Sequence, residues 1–138
     1  MILVDTCVVS EAIRPKPSPN VLAWIDSLPE DRVYLPSLVI GELQKGVELL
    51  ADGQKRSALM LWLEQLRERF RGRILPFDEE TALRWGMLTA DLEKMGRPVP
   101  VVDGMLAATA LRYSALLATC NTSDYEGTGV ECVDPWQG

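Results

Sequence analysis

The sequence contains no histidine among its 138 residues. That absence excludes serine–histidine catalytic triads, histidine-based ribonuclease chemistry and most zinc sites. Basic residues are also in the minority, with 14 Lys and Arg against 20 Asp and Glu and a formal net charge of −6. A chain of this charge does not hold a polyanion by general electrostatic attraction. Any chemistry on nucleic acid would therefore need a local basic surface or a metal ion.

Cysteines and long apolar segments are scarce as well. The three cysteines, Cys7, Cys120 and Cys132, are odd in number and far apart in sequence. We therefore expect reduced thiols in a cytoplasmic protein rather than a disulfide framework. No basic, apolar leader opens the chain, and no apolar run has the length of a membrane-spanning helix. The hydrophobic fraction of 47% suffices for one core, so we expect a single domain over residues 1–138 and no membrane association.

Short apolar strands alternate along the chain with amphipathic helices. The strand candidates are Ile2–Asp5, Val33–Leu35, Arg73–Pro76, Ala115–Thr119 and Val130–Val133. Strand–helix alternation of this kind predicts an α/β fold, in which a mostly parallel sheet is covered by helices on both faces.

Capping residues mark where the helices should begin. Ser18, which is followed by a proline, favours a helix start. Ser37 and Asp78 predict the N-caps of two later helices, and a proline-rich link leads into a last helix at Asp103.

Four acidic residues occupy positions that suggest a shared site. Asp5 ends the first strand, and Asp124 follows the fourth strand after a short turn. Glu42 borders the apolar stripe of its helix, and Asp103 opens a helix that is otherwise almost entirely apolar. Because ligands bind at the carboxyl ends of the strands in open parallel sheets, we expect these acids to gather at that edge. Structural interpretations remain open: Asp103 as a helix N-cap, Glu42 as a solvated side chain at the edge of the stripe, and Asp124 as a turn residue.

Carboxylates gathered in one pocket repel each other. Two unit charges about 4 Å apart cost roughly 4 kcal/mol at an effective dielectric constant of about 20. A divalent cation relieves this repulsion, and an all-oxygen ligand set favours Mg²⁺ or Mn²⁺ over zinc. Such an ion lowers the pKa of water and polarises a phosphoryl oxygen. In a chain without histidine, metal-activated water is the natural nucleophile, and the chemistry suggested is phosphodiester hydrolysis.

Four segments carry a family resemblance. They are Met1–Glu11 (MILVDTCVVSE), Leu35–Gly46 (LPSLVIGELQKG), Pro100–Ala110 (PVVDGMLAATA) and Leu117–Glu126 (LATCNTSDYE). In this order and spacing they resemble the signature blocks of the PIN-domain ribonucleases, and most closely those of the VapC/FitB-type toxins of type II toxin–antitoxin pairs. The resemblance covers essentially the whole chain and implies a three-layer α/β/α fold with a five-stranded parallel sheet.

The resemblance also implies an activity and its acidic residues. The activity is that of an endoribonuclease that requires Mg²⁺ or Mn²⁺. The family's catalytic acids, which hold the metal, correspond to Asp5, Glu42, Asp103 and Asp124.

Hydroxyl and amide residues that assist the family's acids correspond to Thr6, Thr119 and Asn121. We expect the two threonines to orient carboxylates or a water molecule, and Asn121 to hold the loop that presents Asp124. The implied partners are RNA as substrate, a VapB/FitA-like antitoxin, a second copy of the chain in a homodimer, and operator DNA in a larger assembly with the antitoxin.

The sequence departs from the family pattern beside the acids. Many relatives have Asn at the position of Cys7 and Arg at the position of Cys120, so hydrogen bonds around the carboxylates and one phosphate contact are in question. Gly104 stands where Ala is more usual.

A catalytically weak PIN-like module that only binds a partner is therefore an alternative. An aspartyl-phosphate phosphatase is disfavoured, because it would need a second acid where Cys7 stands.

Arginines at positions 67, 69, 71 and 73 form a basic cluster in this acidic chain. Together with Arg14 and Lys16 they could guide RNA to the acids. The alternative is a solvated helix end whose cations suit the helix dipole. The sequence leaves both interpretations open.

Overall fold

The computed structural model describes residues 1–137 and contains a parallel sheet of five strands among six α-helices. The strands are β1 (Ile2–Val4), β2 (Val33–Pro36), β3 (Ile74–Leu75), β4 (Leu116–Ala118) and β5 (Cys132–Val133). The helices are α1 (Thr6–Glu11), α2 (Pro19–Asp26), α3 (Ser37–Glu48), α4 (Gln54–Arg69), α5 (Glu79–Lys94) and α6 (Val101–Arg112). Short 3₁₀ helices span Glu30–Arg32 and Thr122–Tyr125. Within residues 1–137, no helix is long and apolar enough to cross a membrane.

The strand order creates a switch point in the sheet. The order is β3-β2-β1-β4-β5, and every neighbouring pair is parallel. The chain therefore moves outward from β1 in one direction to β3 and then returns to the other side of β1 with β4. Because crossovers between parallel strands are right-handed, this reversal puts helices on both faces of the sheet. The predicted five-stranded parallel α/β fold is confirmed, and its strand order reverses between β1 and β4.

The hydrophobic core lies around the three inner strands. Leu3 of β1 pairs in register with Leu117 of β4, and both side chains are fully buried, as is Leu35 of β2. Helix α6 is buried along most of its length, which explains why its sequence is apolar almost all round. Helices α1, α2, α3 and α4 contribute Val8, Val21, Val39, Leu43 and Leu63 to the same core.

Two of the predicted helix caps are confirmed and one is wrong. The Ser18 hydroxyl accepts the backbone N–H of Val21 at 3.4 Å, and Asp78 Oδ1 accepts that of Thr81 at 3.1 Å. Ser37, in contrast, is the first residue of α3, and the residue before it is a proline that makes no side-chain cap. Strand β2 runs directly into α3, so no position outside the helix is left for the serine to cap.

Other boundaries also differ from the sequence prediction. Helix α6 begins at Val101, two residues before Asp103, which therefore lies in the first turn. Helix α1 was not predicted, because its six residues follow β1 immediately and are too short to show a helical period. Strands β3 and β5 have only two residues each and are shorter than the predicted segments.

Gly104 allows α6 to pack closely against α5. A Cβ atom at this position would lie 3.2 Å from Thr89 Cγ2 and 3.3 Å from Trp85 Nε1, which is tighter than ordinary van der Waals contact. The absence of a side chain at Gly104 therefore brings the first turn of α6, with Asp103, close to α5. The departure from the usual alanine is explained by the bulky Trp85 on the facing helix.

Candidate active site

Asp5 lies at the switch point, directly after β1. Its backbone N–H continues the ladder to Ala118 of β4 at 3.0 Å. Its side chain is only 8% exposed and accepts two hydrogen bonds, from the backbone N–H of Thr6 at 2.7 Å and from the hydroxyl of Thr119 at 2.8 Å. Because the first of these bonds caps α1, one carboxylate oxygen is used structurally. The other is fixed by Thr119 across the two central strands.

Thr6 connects the first acid to the second. Its hydroxyl donates to Glu42 Oε1 at 2.8 Å, which joins the start of α1 to α3. Glu42 is exposed to solvent on α3. The interpretation of Glu42 as a merely solvated residue does not account for this bond, which holds its carboxylate toward the carboxyl end of β1.

The pKa of Asp103 reflects the charges of the other three acids. Its carboxyl pKa is raised, chiefly by burial and then by the negative charges of Asp124, Asp5 and Glu42. Its alternative role as a helix cap is wrong, since the cap position of α6 is Pro100 and makes no side-chain hydrogen bond. The four predicted acids therefore share one electrostatic environment at the edge of the sheet.

Asn121 supports this environment through its backbone rather than its amide side chain. Its N–H donates to the Thr119 hydroxyl at 3.2 Å, and its carbonyl accepts the N–H of Asp124 at 3.0 Å. The side chain of Asn121 is exposed. The expected role in holding the loop that carries Asp124 thus fits the geometry, but any residue with a free N–H could make these two bonds.

Cys7 and Cys120 line the same edge. Cys7 Sγ accepts the N–H of Cys120 at 3.1 Å and lies 3.9 Å from the Thr119 hydroxyl and 4.0 Å from Asp5 Oδ2. Burial raises the pKa of the Cys7 thiol to about 12, and the side chain of Cys120 adds to the rise. A neutral thiol therefore occupies the position beside Asp5.

Tyr125 is a residue whose importance the sequence did not reveal. It is 3% exposed, and its hydroxyl has no hydrogen-bond partner among residues 1–137. Burial raises the pKa of its hydroxyl, and the negative charges of Asp5 and Asp103 add to the rise. Only the tertiary structure could have indicated this, because Tyr125 is far from both aspartates in sequence.

The donor set fits a hard divalent cation. Among residues 1–137, no lysine or arginine forms an ion pair with Asp5, Glu42, Asp103 or Asp124. Their mutual repulsion is therefore uncompensated by protein charge, and carboxylate and hydroxyl oxygens are the donors that Mg²⁺ and Mn²⁺ prefer. Within the same residues, however, no three acidic or thiol side chains are arranged as a ready-made metal site.

Three of the four arginines in the basic cluster are paired with neighbouring acids. Arg69 and Arg73 both reach Glu30, at 3.0 and 3.6 Å, and Arg71 pairs with Glu68. Arg73 also donates to the backbone carbonyls of Glu30 and Val33 at 2.6 Å. These contacts favour the structural interpretation of the cluster over a role in guiding RNA.

Comparisons with known proteins agree with this geometry. The PIN domain family matches residues 2–126. The chain is 41% identical over 137 residues to Toxin FitB of Neisseria gonorrhoeae, with 99% of each sequence covered. It is 33% identical over 138 residues to VapC ribonuclease Y4jK of Sinorhizobium fredii, again with 99% of each covered. The solved structure of FitAB bound to an IR36 DNA fragment superposes with a TM-score of 0.94, at 39% identity, covering 99% of this chain and 96% of the other.

The chain forms a parallel sheet with acids at its central switch point, and its sequence matches these relatives over nearly the whole length. Together these findings define the class. The chain belongs to the PIN-domain family, among the VapC/FitB-like toxins.

Proposed function

We propose that the protein is an endoribonuclease that depends on Mg²⁺ or Mn²⁺ and acts as the toxin of a type II toxin–antitoxin pair. The observation that carries this proposal is the gathering of four carboxylates at the switch point without a cationic partner among residues 1–137. A ribonuclease among the relatives, VapC ribonuclease Y4jK, supports RNA as the substrate.

In this proposal Asp5, Glu42, Asp103 and Asp124 hold the metal. When bound, the ion supplies Lewis-acid charge to the scissile phosphate and lowers the pKa of water. Thr119 keeps one oxygen of Asp5 in place through its 2.8 Å hydrogen bond.

Thr6 does the same for Glu42, at 2.8 Å. The two threonines thus keep carboxylates that repel each other from turning away from the site, and this limits the reorganisation needed when a phosphate arrives. Asn121 presents Asp124 through its backbone.

Cleavage of RNA by partner-free protein tests the proposal. Total tRNA and structured RNA are incubated with Mg²⁺, with Mn²⁺ or with EDTA, using wild type, Asp5→Asn and Asp103→Asn. Asp91→Asn is the matched control, because it removes an exposed acid of α5 outside the site. Cleavage that requires metal, disappears in the first two variants and persists in the control is the expected result. Absence of cleavage under every condition would refute the nuclease.

A catalytically weak module that binds a protein partner is the second candidate. The observation that favours it is that no three acidic or thiol side chains of residues 1–137 form a ready-made metal site. Calorimetry with Mg²⁺ and Mn²⁺ separates the two, because a binding module without metal affinity would give no heat with either ion.

The proposed partners follow from the relatives. FitAB is seen bound to a DNA fragment, and by analogy we propose a FitA/VapB-like antitoxin, with operator DNA in the larger assembly. An apolar groove formed by α1, α2 and α4, and lined by Val9, Ile25, Trp62 and Leu66, suits the apolar face of an antitoxin helix. Charged substitutions there, such as Ile25→Lys, should abolish co-purification with the antitoxin.

A homodimer is proposed through α5 and α6. Leu83, Met87 and Val101 are 62%, 70% and 61% exposed, an unusual exposure for large apolar side chains. Light scattering of Met87→Lys should report a monomer where wild type reports a dimer.

The three cysteines are free, and the cytoplasm, which is reducing and contains RNA, remains the proposed location.

A further inference from the structure

A separate cavity opens beside the candidate active site. Its volume is about 640 Å³, within the range of small-ligand sites. The end of α1, the following loop, the start of α4 and the C-terminal segment form its walls. Its lining includes Cys7, Cys120, Arg14, Lys55 and Trp136. None of the acids assigned to the active site lines it.

The cavity adjoins Asp5 at Cys7. Cys7 lines the cavity, and its thiol lies 4.0 Å from Asp5 Oδ2. A polymer whose scissile phosphate lay against Asp5 would therefore pass its neighbouring nucleotide into the cavity.

The charge of the cavity differs from that of the chain. Its two acids are engaged with the protein: buried Glu11 accepts the N–H of Ser18 at 3.2 Å and forms an ion pair with Arg14 at 3.5 Å, and Asp134 accepts the N–H of Trp136 at 2.9 Å. Lys55 is exposed and forms no ion pair among residues 1–137. In a protein of net charge −6, Lys55 is therefore a cation that this cavity offers to an anionic ligand.

Trp136 provides a fixed aromatic surface. Its carbonyl accepts the side-chain amide of Asn20 at 3.0 Å, and its N–H is bonded to Asp134. Both ends of the residue's backbone are therefore held in place. The indole is half-buried and packs against the hydrophobic core. Such a ring is suited to stacking with an unpaired base, because the contact needs little further ordering.

Two other cavities border the acids and lack this combination. One contains Glu42 and Lys45, and the other contains Asp124 and Arg97, which is paired with Glu126 at 3.6 Å. Neither is lined by an aromatic ring.

We propose that the cavity between Cys7 and Trp136 is a subsite for one unpaired nucleotide of RNA, with Trp136 stacking on the base and Lys55 contacting phosphate. The subsite deepens the proposed ribonuclease function and rests on it. It would favour single-stranded segments over duplex, since a paired base cannot enter the cavity.

Binding without cleavage tests the subsite directly. Fluorescence anisotropy of a labelled, unstructured oligouridine is measured in EDTA with wild type, Trp136→Leu, Trp136→Phe and Lys55→Gln. Loss of the ring in Trp136→Leu should weaken binding by roughly fivefold to a hundredfold, while Trp136→Phe retains most of the affinity. Lys55→Gln should weaken binding and lower the slope of log affinity against log salt by about one.

Lys45→Gln is the matched control, because it removes the same charge from another cavity beside the same acids. It should bind like wild type. Lys55→Gln changes an exposed side chain and therefore keeps the test valid even if Trp136→Leu is poorly folded. In cleavage assays the subsite variants should raise KM and leave kcat nearly unchanged.

Failure of the subsite and failure of the ribonuclease would give different combinations of binding and cleavage results. Cleavage by wild type with unchanged oligouridine affinity and KM in Trp136→Leu and Lys55→Gln would overturn the subsite and leave the ribonuclease standing. Weakened RNA binding in both variants, with no cleavage by wild type in Mg²⁺ or Mn²⁺, would refute the ribonuclease and support the subsite. Unchanged RNA binding with lost affinity for the antitoxin would assign the cavity to the protein partner instead.

Discussion

Thr119 donates its hydroxyl hydrogen to Asp5 Oδ2 at 2.8 Å, and so joins the residues that follow β4 and β1, the two strands between which the order of the sheet reverses. This bond holds a nearly buried carboxylate in one orientation. Asp5 and Thr119 are separated by 114 positions in the chain, so only the parallel pairing of β1 with β4 brings them together.

Replacing Thr119 by valine should lower RNA cleavage by about tenfold to a hundredfold, because Asp5 loses the partner that orients it. Thr119→Ser should retain most of the activity. Thr109→Val serves as the control, since Thr109 is equally buried but bonds only to a backbone carbonyl of its own helix. Steady-state cleavage rates check this prediction, and equal losses in Thr119→Val and Thr109→Val would contradict it.

Asp103→Asn should lower the cleavage activity and raise the thermal stability. The pKa of Asp103 is raised by burial and by the neighbouring acids, so the folded state disfavours its charged form. Cleavage should fall on the order of a hundredfold or more, while the Tm of the metal-free protein rises at neutral pH. Differential scanning calorimetry in EDTA measures the second effect, with Asp91→Asn as the control.

The same pKa shift predicts a pH dependence. Because the folded state binds the Asp103 proton more tightly than the unfolded chain does, the metal-free protein should gain stability as pH falls from neutral toward the ordinary carboxyl range. In Asp103→Asn this gain should be smaller. An identical pH profile of Tm in both proteins would show that repulsion among the acids does not limit stability.

Cys7 should be unreactive in the folded protein. Burial raises its pKa from 9.0 to about 12, so the nucleophilic thiolate is scarce at pH 8. Iodoacetamide should label Cys7 slowly in native protein and readily in urea, as mass spectrometry of the labelled peptides would show. The sign of the shift also predicts a loss of stability as pH rises from about 9 toward 12. Rapid native labelling would contradict the half-buried, neutral thiol.

Asp78 stabilises the junction of two helices. It caps α5, and Arg112 at the end of α6 donates to the same carboxylate and forms an ion pair with Glu80. Asp78→Ala should lower Tm by roughly 3 to 6 °C, because a cap and an ion pair are lost together. Asp78→Asn keeps the capping oxygen and should lose less. Cleavage per folded molecule should not change in either variant.

Acid should weaken the same junction. Hydrogen bonds from Arg112 and from Thr81 hold the pKa of Asp78 well below its usual range. The stabilising contribution is therefore present above the ordinary carboxyl pKa and is lost as pH falls below it. Thermal unfolding of wild type and Asp78→Asn should converge in strongly acidic buffer, and a constant difference in Tm at all pH values would argue against this.

The local features of the fold could be read from the sequence alone. The absence of histidine and the acid at the end of the first strand limited the chemistry, and the alternation of strands and helices predicted the parallel sheet. Ser18 and Asp78 marked helix starts because a cap acts on N–H groups only a few residues away. The prediction of Ser37 as a cap was wrong, because the strand that precedes it leads straight into the helix and leaves no cap position.

The relations between distant residues were decided by the tertiary structure. The bond from Thr6 to Glu42, the close packing at Gly104 and the buried Tyr125 beside the aspartates join segments that no local pattern connects. Composition and periodicity report which side chains prefer burial or a helix, and these preferences extend over a few residues. The placement of carboxylates around one point depends on strand order and crossover direction, which are set by the packing of the whole chain.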